Sequence, residues 1–156
     1  MKCRLIAAGT RLPEWAGAGF RDYQRRLRRP MTLDLIEIPV APRRAGEPVR
    51  AAIAREGEAM LAAVRAGDYV VALTIEGAAM DTAKLAAWLA RRMQDGRPLA
   101  LLIGGPDGLA PACLERAEFR WSLSPLTFPH ALVRVVVAEQ MYRATSLLAH
   151  HPYHRA

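Results

Sequence analysis

The sequence predicts an α/β fold, a mainly parallel sheet with helices on both faces. Three observations carry this. Strand-like and helix-like stretches alternate from one end of the chain to the other. Residues 69–75 and 99–103 are continuous apolar runs, the pattern of strands covered on both sides. The length of 156 residues, with 52% hydrophobic composition, suits one sizeable core, so a single domain over residues 1–156 is expected.

The elements follow in order. Leu5 to Ala8 form a strand that ends at Gly9, and a helix over residues 13–28 has Pro13 at its entry and Pro30 just past its end. Leu33, Leu35, Ile36 and Ile38 make a second strand before Pro39. Residues 40–48, rich in proline and carrying Arg43-Arg44, read as a mobile loop before a helix over 49–66. The run 69–75 is a strand closed by Gly77, and Asp81-Thr82 caps a helix that reaches about Gln94. The strand 99–103 ends in Gly104-Gly105-Pro106-Asp107-Gly108. A short helix from Pro111 and a strand over 120–123 precede the longest helix, 131–149.

The charge balance is 22 Lys+Arg against 15 Asp+Glu, a net +7, which points to a polyanionic partner with nucleic acid foremost. Lys2 and Lys84 are the only lysines, so the excess is arginine, and coding composition can contribute to that bias. Cys3 and Cys113 have no second cysteine at metal-ligand spacing, which fits a reducing compartment. The apolar start is too short for a signal sequence and no run approaches a membrane span. A cytoplasmic protein without a membrane partner is expected.

Four segments carry candidate chemistry. The glycines after the 99–103 strand let backbone amides approach a ligand, yet match neither a P-loop nor Gly-x-Gly-x-x-Gly; a plain strand-to-helix turn reads equally well. Residues 121–130, with two prolines among serines and a threonine, suit a neutral heterocycle such as adenine or, equally, a rigid core-covering loop. On the last helix Glu139 and Arg143 are four apart; a surface ion pair is the commoner reading, an active-site or subunit-interface pair the alternative. The end, His150-His151-Pro152-Tyr153-His154-Arg155, reads as a loose tail or as a site where Tyr153 stacks on a base. Pro152 breaks a regular ligand face and no Cys or carboxylate joins these histidines, so no metal is expected. Arg21, Arg25, Arg26, Arg28 and Arg29 exceed what a helix C-terminus requires and suit phosphate contact.

Several of these segments, taken jointly, resemble one known family. They are residues 102–109, the stretch Ser124-Pro125-Leu126-Thr127-Phe128-Pro129-His130, Val133-Arg134-Val135, residues 139–144 and His151-Pro152-Tyr153-His154. Ala8-Gly9-Thr10, residues 36–39 and Glu56-Gly57-Glu58 add to the likeness, which spans the chain. The family is RlmH, among the SPOUT methyltransferases. The resemblance implies a SPOUT fold whose C-terminal part is threaded into a deep trefoil knot, against the usual rule for chain topology. It also implies a homodimer and methylation of N3 of a pseudouridine in 23S rRNA of the assembled ribosome, with S-adenosyl-L-methionine as donor and no DNA partner.

The family's cofactor positions fall on Leu73, Gly104, Leu123, Ser124, Pro125, Leu126, Thr127 and Phe128. Glu139, Arg143, Tyr153 and His154 are the candidate catalytic residues, with Glu139 and His154 as bases for the N3 proton. Arg21, Arg25, Arg134 and Arg155 are the candidate RNA contacts. The 40–48 segment and the stretch Glu76-Gly77-Ala78-Ala79 depart from the family pattern.

Overall fold

A computed structural model describes residues 1–155. Ala156 and the side chains of His154 and Arg155 lie outside the described residues. Five strands, β1 (Lys2–Ala8), β2 (Thr32–Ile38), β3 (Tyr69–Ala79), β4 (Leu99–Ile103) and β5 (Phe119–Ser122), form one sheet in the order β2-β1-β4-β3-β5. Every pairing is parallel. The helices are α1 (Glu14–Arg26), α2 (Val49–Ala63), α3 (Thr82–Asp95), α4 (Pro111–Arg116) and α5 (His130–Leu148), followed by a 3-10 turn over Pro152–Arg155.

The two-residue period of the strands divides the core in two. Leu5, Ala7, Leu99, Leu101 and Ile103 point into one cluster with Phe20 of α1, Leu85 and Leu89 of α3, and Val137 and Met141 of α5. Ile6, Ala8, Ala100 and Leu102 point the other way, onto Met60 of α2 and Cys113 of α4. Helices on both faces are why β4 is apolar at every position; each buried leucine there contributes roughly 1.5–3 kcal/mol. The Asp81 carboxylate accepts the Lys84 backbone N–H at 2.7 Å and starts α3, which Gly96 ends in the left-handed conformation.

Two segments differ from expectation. β3 runs on to Ala79 instead of stopping at Ile75, because both Leu73 and Ala78 pair with Trp121 and residues 74–77 bulge out between them. Gly77 lets the bulge close: a Cβ there would meet the Trp121 backbone at 2.6–2.7 Å. The 40–48 segment has no regular structure, yet it is pinned rather than loose. Ala41 N–H donates to Glu56 at 3.0 Å, Arg55 donates to Pro42 O at 3.0 Å and to Glu47 at 2.9 Å, and Arg43 pairs with Glu56 and Asp107.

Candidate functional site

Parallel strands place ligands beyond their carboxyl ends. There, past β3, β4 and β5, the chain encloses a cleft of about 840 Å³. Leu73, Gly104, Leu123, Ser124, Leu126, Thr127 and Phe128 all line it, as expected of the cofactor positions; Pro125 is exposed in the same loop and is not on the wall. The site also uses residues that sequence reasoning passed over. Thr74, Ile75 and Glu76 of the β3 bulge, and His130 and Val133 from the first turns of α5, complete the wall. A glycine inside a strand pattern, Gly77, was the one signal that could have marked the bulge.

Two loops give the cleft its shape. The turn after β4 is closed by Gly108 N–H donating to Gly105 O at 3.0 Å, with Gly108 at φ 87°. Gly104 is required by this turn itself: a Cβ on it would lie 2.4 Å from the Gly108 carbonyl, closer than atoms can approach. In the loop after β5, Ser124 Oγ accepts the Leu126 N–H at 3.0 Å, and Ser122 Oγ donates to Ser124 O at 3.2 Å. Such local bonds hold a loop without regular structure in one shape. The wall is mainly apolar with a few hydroxyls and main-chain groups, the make-up of a site for a heterocycle.

The candidate catalytic residues assemble elsewhere. Arg143 Nε donates to Glu139 Oε1 at 2.8 Å in a partly buried ion pair, and Gln140 donates to the other oxygen at 2.6 Å. Tyr153 folds back onto this pair. Its ring packs edge-on to Tyr142 at 4.7 Å and under the Arg143 guanidinium at 5.0 Å. Its hydroxyl donates to Glu139 at 3.4 Å and lies 3.2 Å from the Tyr23 hydroxyl of α1. Burial, the Tyr23 hydroxyl and the Glu139 charge push the Tyr153 phenol up to about 12. Glu139 holds the Arg143 guanidinium above its ordinary value.

With a rise of ~1.5 Å per residue, Glu139 and Arg143 lie about 9 and 15 Å along α5 from Val133 of the cleft wall. Neither residue lines the cleft. The His154 and Arg155 side chains, expected to serve as base and phosphate contact, are outside the described residues.

The arginines divide sharply. Arg21 and Arg25 are exposed on α1, as phosphate contacts must be. Arg134 is not: it is 1% exposed, donates to Ala8 O at 2.8 Å and Gly9 O at 2.7 Å, and pairs with Glu37 at 2.8 Å. Its expected RNA contact is corrected by this burial. It clasps the first turns of α5 to the ends of β1 and β2. Among the described residues no group of His, Cys, Asp and Glu could hold a metal, and no helix is long and apolar enough to cross a membrane.

Residues 1–154 match the model of a family described as "Predicted SPOUT methyltransferase". Across all 156 residues, and the whole of both chains, the sequence is 56% identical to ribosomal RNA large subunit methyltransferase H of Alkalilimnicola ehrlichii. The chain is a SPOUT methyltransferase of the RlmH family. Its fold is similar to that of a probable methyltransferase from Bordetella pertussis Tohama I, with TM-score 0.55 and 17% identity over 91% of this chain and 95% of that one. A probable methylase family protein from Haemophilus influenzae Rd KW20 gives TM-score 0.55 and 13% identity over 97% and 69%.

SPOUT methyltransferases use S-adenosylmethionine, and the cleft fits it. The apolar wall with the Ser124 and Thr127 hydroxyls suits an adenosyl group, and the turn that needs glycine at 104 keeps main-chain groups at the surface.

Proposed function

We propose that this chain is a 23S rRNA methyltransferase that modifies N3 of a pseudouridine in the assembled ribosome, acting as a homodimer. The observation that carries the reading is the cleft itself: the RlmH-family cofactor segments, from strands and loops far apart in sequence, meet in one apolar cavity. The relative that is 56% identical over its full length is named for large-subunit ribosomal RNA. The net charge of +7 and the exposed Arg21 and Arg25 suit a phosphate-rich substrate.

Leu73, Gly104 and residues 123–128 would hold the donor, which supplies an electrophilic sulfonium methyl when bound. The protein's own work is then to orient donor and base in line, exclude water and receive the N3 proton. Glu139 is held by Arg143, Gln140 and Tyr153, which suits it to fixing the tail more than to taking that proton. The separation along α5 of about 9–15 Å between the cleft wall and the Glu139–Arg143 pair on which Tyr153 docks supports a dimer in which one chain's tail serves the other's cleft. The knot implied by the resemblance would lie in this part of the chain, where α5 passes from β5 at one edge of the sheet back to β1 and β2.

Methyl-donor labelling of intact ribosomes, separate subunits and naked rRNA, followed by mapping of the modified base, tests the reading. Label on a large-subunit pseudouridine at N3, in ribosomes above naked rRNA, is expected. Label confined to transfer RNA, or to another base atom, overturns it.

A further inference from the structure

One charged cluster beside the cleft has no part in that chemistry. Arg43, in the 40–48 segment, donates from Nη1 to Glu56 Oε1 at 3.0 Å and from Nη2 to Asp107 Oδ2. Glu56, on α2, is 4% exposed, and the same Oε1 accepts the Ala41 N–H at 3.0 Å. Its other oxygen lies 3.4 Å from where a Cβ on Gly105 would stand, so the buried carboxylate is also packed against the 104–108 turn. A single guanidinium thus bridges a buried carboxylate on one side and the tip of the cleft-walling turn on the other.

We propose that Arg43 is a positioning residue for the cofactor cleft, setting the shape of the 104–108 turn by holding Asp107 toward Glu56. Three of the five residues in that turn are glycine, so outside Pro106, whose ring fixes its own φ, the backbone has wide freedom and few side chains to restrain it. One main-chain bond, Gly108 to Gly105, closes the turn, and the Asp107 side chain is tied to the rest of the protein through Arg43. The planar fork of arginine can serve two carboxylates at once, which a lysine ammonium on a single stem does less well. Glu56 makes the anchor rigid because it is buried and already bonded to the backbone at Ala41.

The two basic residues of the 40–48 segment then have different tasks. Both are exposed, but Arg43 bridges the buried Glu56 carboxylate and the exposed Asp107 carboxylate. This role rests on the cofactor reading of the cleft, and the wild-type measurement tests that reading separately.

The experiment is isothermal titration of S-adenosylmethionine into the wild-type chain, Asp107→Ala, Arg43→Gln, Arg43→Lys and the Asp107→Ala/Arg43→Gln double variant, with melting temperatures alongside. Asp107→Ala removes the acceptor and leaves the Arg43–Glu56 pair and the Ala41 bond in place, so it should melt like the wild type yet bind about fivefold more weakly. Arg43→Gln should weaken binding at least as much, Arg43→Lys less, and the double variant no more than Arg43→Gln alone. In steady state KM for the donor should rise with KM for ribosomes unchanged. Unchanged donor affinity in Asp107→Ala overturns the proposal, even if Arg43→Gln is too unstable to compare. Independent, multiplying losses in the double variant overturn it as well. A raised ribosome KM at unchanged donor affinity would make Arg43 an RNA contact instead. No binding by the wild type would remove the cofactor reading and this inference with it.

Discussion

Where α5 begins, at His130, it borders a cleft built from main chain, apolar side chains and a few hydroxyls; where it approaches its end, it carries Glu139 and Arg143 beneath a docked tyrosine. The cleft is shaped by backbone restrictions: glycines at 77 and 104 that tolerate no Cβ, and a loop tied by Ser124. The tail cluster is shaped by side chains: three tyrosines, a carboxylate and a guanidinium meeting across α1, α5 and the 3-10 turn. In the proposed function the fixed shape serves the donor's adenosyl group and the side-chain cluster serves the RNA. Arg134, buried between the first turns of α5 and the ends of β1 and β2, ties the cleft end of α5 to the sheet.

The largest effect is expected in the cleft. Gly104→Val should abolish donor binding and lower the melting temperature, because its side chain meets the Gly108 carbonyl at 2.4 Å before it meets any ligand. Calorimetric titration and thermal melts measure both. Retained affinity with a native melt would show that the turn does not shape the site.

Next in size is the tie made by Arg134. Arg134→Met removes the donor to Ala8 O and Gly9 O and leaves Glu37 without its partner. A loss of about 3 kcal/mol in urea unfolding is expected. Unchanged stability with weakened ribosome binding would instead return Arg134 to the RNA surface.

The tail separates the regions most cleanly. Deleting residues 152–156 should leave donor affinity within about twofold and lower turnover on ribosomes by roughly tenfold or more, the loss of one stacked base contact. Equal losses in both would mean that the tail supports the cleft. Unchanged turnover would remove Tyr153 from the chemistry.

The smallest effect concerns one hydroxyl. The Tyr153 phenol is raised from 10.0 to about 12, so the folded state keeps its proton where an undocked tail would release it. Docking is therefore fully favoured below about pH 10 and is lost as pH rises from about 10 towards about 12. The tyrosinate absorbance lost in Tyr153→Phe, read as the difference from the wild type, should be a step near pH 12, and docking should weaken by about 1 kcal/mol. A lost step near pH 10 would dissolve the cluster.

Much of this was legible in one dimension. Apolar runs at β3 and β4, the Pro-bounded first helix and the Asp81 cap are local signals, because strand burial and helix ends depend on neighbours a few residues away. The segments resembling the RlmH family carried the cofactor positions onto Leu73, Gly104 and residues 123–128, and most of these line a single cleft. The sequence by itself determined the class of fold, the order of its elements and the family. Tertiary structure alone decided what depends on distant partners: that residues 74–77 bulge because Trp121 pairs on either side of them, and that the 40–48 segment is held by Glu56 and Asp107. It also decided which arginines face solvent. Arg134 and Arg21 look alike in a sequence, since a guanidinium shows its role only through the carbonyls and carboxylates that folding brings beside it.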